Sequence, residues 1–282
     1  MTGPARWQEL GRAGGVRLLA TGSGPPVVLL PGMEGSGESC LHLAGPVALA
    51  EPGGGRLVLV DYSGERHRFF GALVDTIAGL LDRCLGRAPV TWWGQSFGNL
   101  LLGSVAPLVA APARGSVLVS PFTGLPPVRL RLAAAAFAVT PQALYAATTP
   151  TASRFVFGPA PGTGAAFFAA LGRMAVGDLR RRMSWLRGDL AGIFQPLPGP
   201  LGIWFGARDR LVDLPRQLAF FHALIRGTGG RVHVVQGCGH VLLPPDAVEA
   251  TRADIGGWLT GIRGALAGSA DDAGSRAGPL TA

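Results

Sequence analysis

The sequence predicts an α/β fold in which helices cover both faces of a mostly parallel sheet. Three observations carry the prediction. Short apolar runs alternate with segments of helical periodicity up to residue 121, the alternation resumes from 201 to about 266, and the stretch between them, 122–200, carries no strand pattern. Strands that alternate with helices pair in parallel and are buried on both faces. The interruption reads as a helical insertion over the carboxyl edge of that sheet, the edge at which such folds build their sites.

Taken in order, "WQEL" and "VRLLATG" read as an opening hairpin, and "PPVVLLPG" (25–32) as a buried strand that ends in a loop. Residues 36–50 read as a helix and "GRLVLVDYSG" (55–64) as a strand and turn. From Phe69 to Cys84 the apolar residues fall at 70, 73, 77, 80, 81 and 84, which is one inward face of a helix. "APVTWWGQ" is a strand, Phe97–Ala110 an apolar helix, and "GSVLVSP" (115–121) the next strand. Within 122–200, breaks at "PPVRL", "TPTAS", "GPAPGTG" and "PLPGP" leave two or three helices. One of these, near 177–193, has apolar residues at 179, 183, 186 and 190 with Arg180, Arg181, Arg182 and Arg187 around them. Then come the strand "LGIWFGARD" (201–209), a helix near 214–226, the strand "RVHVVQGCGH" (231–240) and a final helix near 246–266. The expected organisation is a core of residues 1–121 and 201–267, a helical insertion of 122–200, and a small, polar, disordered tail of 268–282.

Composition narrows the function classes. With 48% hydrophobic and 15% charged residues among 282, the chain can bury a sizeable core. The net charge of +8 comes from 25 Arg and no Lys, and residues 121–196, with eight Arg against two acids, supply +6 of it. Lacking Lys and any G-x-x-x-x-G-K-[ST], the chain is not a P-loop nucleotide binder. Basic residues are not interleaved with aromatics, so nucleic acid is not the expected partner. Three scattered cysteines, Cys40, Cys84 and Cys238, with no C-x-x-C, suggest reduced thiols rather than a disulfide framework or a zinc site. Neither a secretory h-region nor an apolar run of about 20 residues is present, so the expected location is the cytoplasm.

The chemistry centres on "PVTWWGQSFGNLLLG" (89–103). A G-x-S-x-G between a strand and a helix is a nucleophile elbow. The turn holds Ser96 in strained dihedrals, and Gly94 and Gly98 lack the Cβ atoms that would otherwise clash. A serine needs a base, and the base an orienting acid. Of five histidines, His42 and His222 fall within helices, His67 near a helix start and His233 within a strand, whereas His240 follows "GCG" at the carboxyl end of the last strand. The acid is expected at another strand end: Asp209 in "IWFGARDRLVD", with Asp213 as the alternative acid or as the N-cap of the next helix. Asp61 reads as a turn residue. The backbone N–H groups of Met33 and Phe97 are the expected oxyanion donors. Phe122, Phe137, Tyr145, Phe155, Phe157, Phe167 and Phe168 suggest an apolar pocket under the insertion.

Four pieces in this order, "LLPGMEGSG", "WGQSFG", "FGARDRLVD" and "GCGH", resemble the α/β-hydrolase superfamily over residues 14–266. The resemblance implies an eight-stranded sheet with a lid after the sixth strand, and a Ser96–Asp209–His240 triad with the Met33 and Phe97 amides as oxyanion hole. Pro31 stands where many members have a histidine, and Gln95 where many have His, Glu, Asp or Asn. The implied activity is cofactor-free and metal-free hydrolysis of a small-molecule carboxylic ester or thioester, an anionic thioester if the arginines steer it. An acyltransferase with the same triad, or a catalytically silent ligand-binding homologue, would share these features.

Overall fold

The computed structural model describes residues 7–50, 55–126, 139–157, 164–226, 228–242 and 245–275. Its strands are β1 (Gln8–Ala13), β2 (Val16–Gly22), β3 (Pro26–Leu30), β4 (Arg56–Asp61), β5 (Val90–Gln95), β6 (Ala113–Val119), β7 (Leu201–Gly206) and β8 (Arg231–Val235). They form one eight-stranded sheet in the order β1-β2-β4-β3-β5-β6-β7-β8. β1 and β2 make a hairpin, β2 runs antiparallel to β4, and every other neighbouring pair is parallel. The hairpin closes through Gly14 and Gly15, both at positive φ (54° and 79°), the backbone a two-residue primed turn requires.

The described helices are α1 (Leu41–Leu49), α2 (Phe70–Leu85), α3 (Phe97–Val105), α4 (Gln142–Phe157), α5 (Gly164–Arg173), α6 (Val176–Ser184), α7 (Leu214–Leu224) and α8 (Pro245–Ser275). Side-chain alternation along the strands feeds two cores. Trp92, Val58, Val60, Ile203 and Phe205 face the layer of α2, α3 and α7. Trp93, Leu57, Leu59, Val117 and Trp204 face α1 and α8. Both tryptophans of β5 are fully buried, one on each face, which puts the elbow at the end of a strand buried at every residue. Among the described residues no helix is long and apolar enough to cross a membrane.

Several boundaries differ from the sequence expectation. The first helix begins at Leu41 rather than near 36, because Gly35 and Gly37 take positive φ (77° and 96°) and keep the preceding loop out of helix. The helix after the elbow ends at Val105, and Ala106–Leu108 tightens into a 3-10 turn where Pro107 lacks an N–H. The Arg-rich helix ends at Ser184, and Gly188 (φ 94°) turns the chain before Leu190. Arg182 in that helix is only 1% exposed and makes a buried ion pair with Glu65. The last helix runs to Ser275, into the segment expected to lack order, since adding turns to an existing helix needs no new nucleus. Phe122 and Tyr145 are buried in packed clusters; Phe137 and the side chains of Phe155, Phe157, Phe167 and Phe168 lie outside the described residues. The three cysteines are free.

Candidate active site

The carboxyl ends of β3, β5, β7 and β8 meet at one edge of the sheet, and each contributes a loop. The elbow follows β5. Ser96 has φ 52° and ψ −117°, a conformation that L-residues avoid and that persists only where its surroundings enforce it. The enforcement is visible. A Cβ on Gly98 would lie 2.0 Å from the Leu30 carbonyl oxygen, and one on Gly94 would lie 2.5 Å from Asn99 Oδ1 and 2.9 Å from its Cα. Asn99 Nδ2 donates to the carbonyls of Ser96 (3.1 Å) and Val119 (2.9 Å), and the Ser96 N–H donates to Val119 O (2.9 Å). The strained residue is therefore tied to β6 and to its own helix.

The sheet brings Ser96, His240 and Asp209 together. Ser96 Oγ lies 2.7 Å from His240 Nε2, across 144 residues of chain. His240 Nδ1 lies 2.6 Å from Asp209 Oδ2, and both side chains are fully buried. An ionised carboxylate can only accept, so Nδ1 carries the proton and Nε2 is left to accept the serine hydroxyl. Burial opposes ionisation of Asp209, but the imidazole beside it and the N–H groups of Leu211 (2.8 Å) and Val212 (3.4 Å) on Oδ1 outweigh burial and hold the carboxyl below its ordinary range. Asp213 does not join them. It is the N-cap of α7, where its side chain accepts from the Arg216 N–H (3.4 Å). Asp61 Oδ1 accepts from the N–H and hydroxyl of Ser63, as a turn residue does, and Asp61 also pairs with Arg17.

Gly206 closes the acid loop onto the histidine loop. A Cβ there would lie 2.1 Å from the Gly239 carbonyl, and the Arg208 N–H donates to Cys238 O (2.7 Å). Sequence reading passed over Gly206, as it did Asn99, because each is needed only for a contact that exists after the loops have met. "GCG" and "FGARD" carried no more than a hint of small residues at two strand ends.

Phe97 follows the serine directly, and Met33 lies on the loop after β3. The Phe97 amide is the first N–H of α3, where no intrahelical acceptor exists. The Met33 amide has no hydrogen-bond partner among the described residues. The Phe97 ring sits in an aromatic cluster with Tyr62 (6.2 Å), Phe70 (6.1 Å) and Trp185 (6.2 Å). Beyond Met33, a cavity of about 400 Å³ opens between the loop after β3 and helices α5 and α6, with Glu34, Glu38, Asp178, Arg173, Met174 and Arg182 among its lining. No group of three or more His, Cys, Asp or Glu among the described residues is placed to hold a metal ion.

This sheet, with a strained serine at its β5 end and a histidine and a carboxylate at two others, defines a class before it defines a protein. The chain belongs to the alpha/beta hydrolase family, whose profile matches residues 7–253. Among solved structures it is similar to the esterase EaEST from Exiguobacterium antarcticum (TM-score 0.70, 16% identity, 89% of this chain and 98% of that one). It is also similar to the esterase RhEst1 from Rhodococcus sp. ECU1013 (0.68, 19%, 91% and 99%) and the carboxylesterase CesB from Bacillus subtilis (0.67, 15%, 89% and 90%). At these identities the likeness establishes a shared fold. No curated protein matches the sequence.

Proposed function

We propose that this chain is a serine hydrolase that cleaves a small-molecule carboxylic ester or thioester through an acyl-enzyme. The observation that carries the reading is the continuous relay Ser96 Oγ, His240 Nε2, His240 Nδ1, Asp209 Oδ2, with steps of 2.7 and 2.6 Å. The three similar structures named above, two esterases and a carboxylesterase, support it.

In the proposed reaction His240 Nε2 takes the hydroxyl proton as Ser96 Oγ attacks the substrate carbonyl. The bond forms at carbon, and the carbonyl π pair moves to oxygen, where the N–H groups of Met33 and Phe97 receive the charge; one such donor is worth roughly 3–4 kcal/mol of barrier. Collapse expels the alkoxide or thiolate, which takes the proton from His240. Water, deprotonated by the same nitrogen, then releases the acid and restores Ser96. Asp209 keeps the proton on Nδ1 and stabilises the imidazolium between the two transfers. No step needs a metal or organic cofactor.

On this reading the helices between β6 and β7 act as a lid: α6 and the segment after it lie over the elbow through Trp185 and Arg182. Steering of an anionic thioester draws less support than the arginine count suggested. Arg181 pairs with Glu65 and Asp178 and Arg182 with Glu65, while Arg180 and Arg187 are exposed. The test is Ser96→Ala. It is expected to abolish turnover of p-nitrophenyl esters and labelling by a fluorophosphonate, and retention of both would end the proposal. A matched panel of esters and thioesters then assigns the leaving group.

A further inference from the structure

We propose that Tyr62 is a positioning residue for this site: its hydroxyl holds the Gly32 carbonyl and so turns the Gly32–Met33 N–H toward Ser96. The inference rests on the reading of the Met33 amide as an oxyanion donor.

Register supplies the first part of the argument. Leu30 of β3 is paired with Gly94 of β5, so Gly32 and Ser96, each two residues further on, leave the sheet edge side by side on neighbouring strands about 4.8 Å apart. The first turn of α3 lies directly on this exit, since a Cβ on Gly98 would lie 2.0 Å from Leu30 O and 2.3 Å from Pro31 O. The loop after β3 is therefore the backbone nearest the serine on that side.

Peptide geometry supplies the second. In a trans peptide the N–H points opposite to the C=O of the same unit. The Gly32 carbonyl, which shares a peptide unit with the Met33 N–H, is held from behind by two donors, the Gly35 N–H (3.0 Å) and the Tyr62 hydroxyl. The same hydroxyl is shared with the Pro31 carbonyl at 2.7 Å. Fixing the carbonyl away from the site aims the N–H the other way. A hydrogen bond accepted by a carbonyl also polarises its peptide, which makes the N–H a better donor.

Tyr62 is itself fixed, and by residues far away in sequence. Its N–H donates to Gly35 O (2.9 Å) and its carbonyl accepts from Arg182 Nη2 (2.7 Å). The Arg182 guanidinium stands 5.0 Å over its ring, bonds Glu65 Oε1 (3.0 Å), and through Nη1 donates to the Met33 carbonyl. So α6 holds Tyr62, whose hydroxyl bonds the unit that carries the Met33 N–H, and also the Met33 carbonyl of the next unit. Burial pushes the Tyr62 phenol well above its ordinary pKa, so it remains a donor.

The test is Tyr62→Phe, read by kcat, KM and the affinities of two inhibitors. A trifluoromethyl ketone binds as a tetrahedral oxyanion, and the matching methyl ketone binds only as a ground-state analogue. The expected result is a kcat lower by about 10- to 100-fold with KM within about twofold, and trifluoromethyl ketone affinity lower by the same factor as kcat. Methyl ketone affinity should be unchanged. An unaltered kcat overturns the inference, and so does an equal loss for both ketones, which is what a merely structural role would produce. Should Tyr62→Phe fail to fold, 3-fluorotyrosine incorporated into Tyr145→Phe labels Tyr62 alone, since the chain has two tyrosines. Trifluoromethyl ketone affinity must then change while methyl ketone affinity does not, and no change in either overturns the inference. Wild-type turnover that depends on Ser96 but not on Tyr62 refutes this inference alone. A wild-type chain with no Ser96-dependent ester turnover refutes the proposed function beneath it.

Discussion

Gly98→Ala should damage fold and site together, and by an amount the structure sets. The new Cβ would lie 2.0 Å from Leu30 O, 2.3 Å from Pro31 O and 2.6 Å from the Leu30 carbonyl carbon, all of them backbone atoms. An ordinary carbon–oxygen contact is about 3.3 Å, so the overlap is about 1.3 Å, and no rotamer change can relieve it. Either α3 or the end of β3 must move by that distance. Overpacking of this kind costs roughly 1–3 kcal/mol and occasionally more. For a chain of this size each kcal/mol lowers Tm by about 2–4 °C, so a loss of about 2–12 °C is expected. The same displacement separates the Met33 amide from Ser96 by about 1 Å, which on the proposed mechanism costs on the order of 10² in kcat/KM. Gly257→Ala is the control. Gly257 is exposed within α8, and a Cβ there meets nothing within 4 Å, so the substitution should gain about 0.5–1 kcal/mol. Thermal unfolding by circular dichroism and initial rates on p-nitrophenyl butyrate decide the matter. A Gly98→Ala protein that melts and turns over like wild type would refute the claim that the elbow is wedged against β3.

Two further substitutions separate the acids. Asp209→Asn removes the charge beside His240 and leaves the wrong tautomer available, so kcat should fall on the order of 10⁴ with Tm little changed. Asp213→Ala should lose about 0.5–1 kcal/mol of stability with the loss of its helix cap and keep its kcat; a larger activity loss there than at Asp209 would reverse the assignment. Glu34 predicts a pH dependence. Burial raises its pKa above the ordinary 4.5, against hydrogen bonds from the hydroxyl and N–H of Ser39. The folded state therefore binds the Glu34 proton more tightly than the unfolded state does. Its contribution is fully present below pH 4.5 and is lost as pH rises through the folded value. Glu34→Gln removes that loss, so its Tm relative to wild type should climb as pH increases from about 4.5; a pH-independent difference would contradict a buried carboxyl there.

The features legible in the sequence are those set by neighbours along the chain. The spacing 70, 73, 77, 80, 81 and 84 announces α2 because a helix repeats within a few residues. Gly94, Ser96 and Gly98 announce the elbow because the strained turn is a contiguous run of five residues, although the carbonyls that keep Gly98 bare lie on the exit of β3. Asp213 is readable as an N-cap because a cap is judged from the turn that follows it, though the sequence leaves it open as an alternative acid. Only the assembled sheet brought Ser96 within 2.7 Å of a histidine 144 residues away, and only it required Gly206 to be bare where two loops touch. Arg182 shows the division most plainly. By composition it belongs with solvated arginines, yet it is buried against Glu65, 117 residues earlier, with Tyr62 and Met33 as further partners. Periodicity and turn chemistry are short-range and are written residue by residue. The pairing of buried charge, and the aim of one peptide N–H, depend on which distant backbone lies opposite, and that is decided only when the elements pack.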